Sequence, residues 1–146
     1  MPDILHRVGI GTRPEKIFEA LTSLEGIRQW WVSDATGDAR GGGVFTVFNH
    51  DFKVVETKPN EIVKWKCIRG SNEWMNTELT FDLAWKQDQT FILFTHANWK
   101  EPVEFMYHCS TKWAVVLLSL KDYLEKGNGH PAPDDTQIFV GERVKK

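Results

Sequence analysis

His96 is the side chain on which chemistry could turn. It ends the run Thr90-x-Ile92-x-Phe94-x-His96-x-Asn98, in which strand alternation puts an imidazole at one end of an apolar face. Thr77 opens the neighbouring run Thr77-x-Leu79-x-Phe81-x-Leu83-x-Trp85 in the same way. An apolar wall with a hydroxyl and an imidazole near one end can bury a small ligand and orient it. His96 therefore has two readings: a core histidine with its nitrogens satisfied, or a polar anchor in a site. As a general acid or base it would need an orienting group within reach, and Glu78, Asp82 and Glu104 are the candidates. Alternation turns Glu78 and Asp82 to the face opposite Leu79 and Phe81, which places neither of them well.

The other reactive residues offer less. Cys67 and Cys109 are 42 positions apart with no Cys-x-x-Cys, too few for a disulfide scaffold. His108 and Cys109 are adjacent, so on a helix they diverge by about 100° and chelate one metal poorly. No metal or cofactor is expected. There is no Gly-x-Ser-x-Gly, no Gly-x-x-x-x-Gly-Lys and no His-Glu-x-x-His. The glycines at 41–43 lack the strand-to-helix context of a phosphate cradle.

These residues belong to a chain of 146 residues, enough for one core that buries roughly 68–70% of its unfolded surface. Hydrophobic residues make up 41% and charged residues 26%, which excludes wholesale disorder. Eighteen Lys and Arg balance twenty Asp and Glu, so net charge gives no drive toward nucleic acid. The longest apolar run, 113–118, is far short of the roughly 20 residues that cross a bilayer. The first residues carry no basic and apolar leader, so a soluble cytoplasmic protein is expected. Seven Trp and nine Phe in so short a chain call for a physical explanation.

The periodicities supply the frame. Ile4 to Ile10 predicts a first strand ending at Gly11. Thr12, Pro14 and Glu15 predict a capped helix start, with Ile17, Phe18, Ala20 and Leu21 at helical spacing. Leu24 and Ile27 extend this to a helical hairpin that closes at Trp30-Trp31. Five strands follow: Val44–Asn49 and Phe52–Lys58 about a His50-Asp51 turn, then Ile62–Ile68, Asn76–Trp85 and Thr90–Trp99. A helix from about Val103 to Lys126 ends at Gly127, with Met106, Cys109, Trp113, Val116, Leu117, Leu120 and Leu124 on one stripe. Residues 131–146 form a tail that could dock on the domain of residues 1–130, with Ile138-Phe139-Val140 as a short strand. One long helix must then cover one face of a six-stranded antiparallel sheet. The wedge between them has to be filled by side chains, water or a ligand.

Pro14-Glu15-x-Ile17-Phe18-x-Ala20-Leu21-Thr22, Trp30-Trp31 and Gly42-Gly43-x-Phe45 resemble the opening of START-like domains of the Bet v 1 superfamily. The branch they are most similar to is that homologous to the activator of Hsp90 ATPase. Thr77-x-Leu79-x-Phe81 and Thr90-x-Ile92-x-Phe94-x-His96 resemble its fifth and sixth strands. Trp113, Leu117, Leu120, Tyr123-Leu124-Glu125 and Gly127 resemble its closing helix. The resemblance spans about residues 4–130. It implies an α+β helix-grip fold, a curved antiparallel six-stranded sheet around a long C-terminal helix, with a cavity that in relatives takes lipids, sterols or polyketides. It carries over no catalytic residue.

The expectation is a non-catalytic receptor for a small, largely apolar, lipid-like or aromatic ligand. Its candidate walls are Trp31, Phe45, Trp65, Cys67, Leu79, Phe81, Phe94, Cys109, Trp113 and Leu117, with Thr77 and His96 as anchors. Two alternatives stay open: a cyclase- or hydrolase-type enzyme using His96, and a chaperone-partner module. A homodimer through exposed Trp74 or Trp99 is a further expectation.

Overall fold

A computed structural model describes residues 2–141. Strand β1 (Ile4–Ile10) leads into helices α1 (Pro14–Leu21) and α2 (Leu24–Trp30). Strands β2 (Thr36–Gly37), β3 (Val44–Val47), β4 (His50–Lys58), β5 (Ile62–Arg69), β6 (Glu78–Lys86) and β7 (Gln89–Ala97) follow, then helix α3 (Glu104–Lys126). All strands form one antiparallel sheet in the order β1-β7-β6-β5-β4-β3-β2. The sheet has seven strands rather than six, because Thr36-Gly37 pairs with Phe45-Thr46 at the far edge. Two residues are too short to show a period, so the sequence reads them as loop. None of the described helices is long and apolar enough to cross a membrane.

Local chemistry shifts several expected boundaries. Arg13, not Thr12, is the residue before α1, and it makes no side-chain cap; Pro14 alone sets the start. Thr12 instead accepts a hydrogen bond from the Thr90 hydroxyl at its carbonyl (2.8 Å). The β3–β4 turn lies at Phe48-Asn49, both with positive φ (53° and 63°), not at His50-Asp51. That two-residue turn matches the sheet's twist without a glycine. It also makes His50 the first residue of β4. Helix α3 ends as expected, with Gly127 at φ 84° and its N–H on the Tyr123 carbonyl.

The tail runs back over the domain. Ala132 bridges Val32, its N–H reaching the Trp31 carbonyl (2.8 Å), while the Ser119 hydroxyl accepts the His130 N–H (2.7 Å). No strand forms at Ile138–Val140; the chain bends and then turns there, with Phe139 and Val140 exposed. Residues 142–146, the end of the expected tail, lie outside the described residues, as does Met1.

Candidate functional site

The wedge between sheet and helix is packed with rings. Trp31 stacks on Trp30 (5.8 Å between centroids) and on Trp65 (5.8 Å, planes 5° apart). Trp65 meets Phe45 and Phe81 edge-on at 4.8 and 4.9 Å. Phe81 continues to Phe94 (5.2 Å), and Phe94 to Trp113 (4.6 Å) on α3. Four of the seven tryptophans, Trp30, Trp31, Trp65 and Trp113, therefore serve to span a gap too wide for aliphatic side chains.

His96 and Thr77 join this core through a directed chain of hydrogen bonds. The Trp113 indole N–H donates to His96 Nδ1 (3.1 Å). His96 Nε2–H donates to Thr77 Oγ1 (2.9 Å), and the Thr77 hydroxyl donates to the Trp74 carbonyl (2.6 Å). Each donor fixes the next acceptor, so the imidazole is the neutral Nε2–H tautomer. Burial pushes its pKa down to about 3. Both ring nitrogens are occupied, leaving no lone pair for a substrate proton.

Beyond Trp31 and Trp113 the packing stops, and a part-open cavity of about 260 Å³ begins. Its apolar walls are Trp31, Phe48, Trp74, Phe105, Cys109, Trp113 and Val116, and its polar ones His50, Ser71, His108, Lys112 and Asp135. Trp74 stacks on Trp113 (6.0 Å, 14°) and continues the indole series to the rim. Its own N–H is buried with no oxygen or nitrogen partner; it lies against the Cys109 thiol, a weak acceptor. Burial pushes that thiol up to about 11, so it stays protonated at neutral pH. Lys112 pairs with buried Asp135 at 3.0 Å, and Lys112 also donates to the Thr136 carbonyl.

At the rim opposite α3, the start of β4 and the segment after β5 are clamped together. Arg69 donates two hydrogen bonds to Asp51 (2.8 and 3.1 Å), and the Thr46 hydroxyl adds a third at 2.6 Å. Arg69 and then Thr46 hold the Asp51 carboxyl below its usual range. The clamp brings His50 against Ser71. His50 Nδ1–H donates to the Phe48 carbonyl (2.8 Å), while Nε2 accepts from the Ser71 N–H and hydroxyl, both at 3.3 Å.

Of the twelve residues expected to meet a ligand, Trp31, Cys109 and Trp113 line this cavity. Phe45, Trp65, Cys67, Thr77, Leu79, Phe81, Phe94, His96 and Leu117 are buried in the packed interior instead. Trp74 and Trp99, expected to be exposed, are not: Trp99 packs on His96 (5.0 Å) and Trp74 forms a cavity wall. Asn98, expected to face inward, is exposed, because β7 ends at Ala97 and Asn98 turns at φ 72°. The sequence reading missed His50, Ser71, His108, Lys112 and Asp135. Helical spacing carried a signal for two of them: Phe105, His108, Lys112 and Val116 flank the Cys109–Trp113 stripe.

Residues 11–125 match the family described as Activator of Hsp90 ATPase homolog 1-like protein. Among solved structures, that of the Aha1 dimer from Colwellia psychrerythraea is 47% identical, with a TM-score of 0.80, covering 88% of this chain and all of that one. CalU16 from Micromonospora echinospora aligns over 95% of this chain and 75% of its own, at 20% identity and a TM-score of 0.77. A Staphylococcus saprophyticus protein aligns over 90% and 98%, at 19% identity and 0.74. The last two share the fold alone. No curated protein matches.

Proposed function

The chain belongs to the Activator of Hsp90 ATPase homolog 1-like family, and from that premise we propose that it binds a small, largely apolar, lipid-like or aromatic molecule in the cavity at the end of the indole series. The observation that carries this reading is the cavity itself: about 260 Å³ walled by three tryptophans and two phenylalanines, with five polar or charged residues among its lining. That volume is small for a ligand site and suits one or two fused rings. Burying about 200 Å² of such a ligand at roughly 25 cal/mol/Å² gives about 5 kcal/mol, a Kd near 0.2 mM before association costs and polar anchoring are counted. Trp31, Cys109 and Trp113 are the expected walls that meet it. The buried Thr77 and His96 act through Trp74 and Trp113, which they hold in place.

The test is titration with 1-naphthol, read by quenching of tryptophan fluorescence, together with native mass spectrometry of freshly purified protein. Saturable quenching in the wild type, lost when His108→Trp fills the cavity, supports the reading. Equal quenching in both proteins, or none in either, defeats it.

A second reading, self-association, is favoured by one observation: the 47% identical relative is a dimer. The exposed apolar residues Leu5, Leu93 and Tyr107 would serve such a contact. Light scattering on the purified chain measures it; a mass of one protomer at high concentration removes the reading.

A further inference from the structure

We propose that Ser71 and His50 form a nucleophile–base pair that gives this cavity an acyl-transfer activity on small aryl esters. The proposal rests on the cavity as a binding site but goes beyond binding. Three relations on the rim carry it. Ser71 Oγ is in hydrogen-bond contact with His50 Nε2, at 3.3 Å. His50 Nδ1–H is held by the Phe48 carbonyl at 2.8 Å, which leaves Nε2 as the lone-pair nitrogen. Both side chains line the cavity, where an apolar ester would be concentrated. This is the arrangement by which a hydroxyl is activated: nucleophile, base, and a third group that orients the base.

The backbone is shaped for the pairing. Gly70 precedes Ser71, and a Cβ there would lie 2.2 Å from His50 Cδ2. Only glycine lets the imidazole lie against the main chain at this point. The Asp51–Arg69 clamp, next to His50 on one side and two residues before Ser71 on the other, sets the register that brings residues 50 and 71 together. The ring is wedged between Phe52 (6.2 Å, stacked) and the edge of Trp74 (5.1 Å).

Trp74 closes this side of the site. Its ring lines the same cavity and meets the His50 imidazole at 5.1 Å, while its own N–H is buried against the Cys109 thiol.

The reaction closes in protons and bonds. Ser71 Oγ forms a bond to the ester carbonyl carbon as its proton passes to His50 Nε2. The carbon–oxygen bond to the aryl group breaks, and that proton leaves with the phenol. Water then gives a proton to His50 Nε2 and its hydroxyl to the acyl carbon; the bond from that carbon to Ser71 Oγ breaks, and His50 returns the proton to Oγ, releasing the acid and restoring the serine.

The experiment uses the full chain with p-nitrophenyl acetate, following nitrophenolate release and intact mass, alongside 1-naphthol binding. The expected result is hydrolysis with one acetyl group trapped on Ser71. Ser71→Ala should bring release down to the rate without protein, and His50→Gln should lower it by at least about 100-fold, the loss a positioned base gives. Both variants should keep a cooperative urea transition near the wild-type midpoint, which shows that they are folded. Release that survives Ser71→Ala, or an adduct only on Cys109 or Lys112, overturns the proposal. So does the absence of hydrolysis and adduct in protein that binds 1-naphthol, an outcome that leaves the receptor reading standing. Failure of wild type to bind 1-naphthol as well defeats both.

Discussion

The Trp74 indole touches two histidines, His96 at 4.8 Å and His50 at 5.1 Å between ring centroids. His96 is fully buried, donates to Thr77 and accepts from Trp113, and burial keeps it neutral. His50 is half-exposed at the cavity rim, and its Nε2 accepts from the Ser71 hydroxyl, beside the Ser71 backbone N–H, rather than from an indole N–H. The residue type is the same and the neighbouring ring is the same. What differs is the donor opposite the lone pair. An indole N–H has no proton to give up, so His96 is a structural acceptor; a serine hydroxyl has one, so His50 can act as a base. The packed interior and the open rim of one aromatic series thus use imidazole in opposite ways.

The heaviest test of this contrast removes the interior partner. Trp113→Ala should cost about 3–5 kcal/mol, because it opens a cavity and orphans His96 Nδ1 together. Urea unfolding measures it, and a loss under about 1 kcal/mol would mean that the interior is not held as described.

Acid offers a second test. His96 has a folded pKa of about 3 against an ordinary 6.5, so between these values the unfolded chain takes up a proton that the folded one refuses. Stability should therefore be full above about pH 6.5 and fall on acidification by up to about 1.4 kcal/mol per pH unit. From pH 6.5 to 5, before most carboxylates titrate, that is about 2 kcal/mol. His96→Gln should flatten the slope in that window, as read from urea midpoints; an unchanged slope would place the acid sensitivity elsewhere.

Thr77→Val should cost about 1–3 kcal/mol, the penalty of a buried N–H left without its acceptor. Thr77→Ser, which keeps the oxygen, should recover much of it. Equal losses in the two variants would show that the methyl group's packing matters, not the hydrogen bond.

The contrast also marks how far the sequence can be read. Val63, Trp65 and Cys67, like Leu79 and Phe81, lie fully buried on the faces that alternation assigns them, because a two-residue period leaves no other choice once one face is covered. The α3 stripe from Met106 to Leu120 follows its 3.6-residue period in the same way. The cavity was not legible by these rules. Ser71 and Trp74 come from the connection 70–77 between β5 and β6, Asp135 from the tail, and His50 from the strand start that follows a turn made of Phe48 and Asn49 without glycine. Such segments carry no period, and only the folded register brings them to one rim. The wedge itself was foreseen, but not how much of it rings would fill. Area and length say that a gap exists, whereas ring orientation decides where packing ends.

Gly70→Ala makes the sharpest demand on the rim. The added Cβ would fall 2.2 Å from His50 Cδ2 and 2.9 Å from Nε2, so the imidazole must move. Gly70 also sits at φ 156°, a conformation that an L side chain adopts only with strain of about 1–3 kcal/mol. The urea midpoint should fall accordingly, while the folded protein should still bind 1-naphthol. The His50–Ser71 contact cannot survive the displacement, because the nitrogen that meets Ser71 is itself one of the atoms displaced. Release of nitrophenolate from p-nitrophenyl acetate should then drop as it does for His50→Gln, in a protein that is still folded. Loss of turnover with folding and binding retained separates a base held by geometry from a histidine that only fills space; turnover retained in Gly70→Ala would assign the ring the second role.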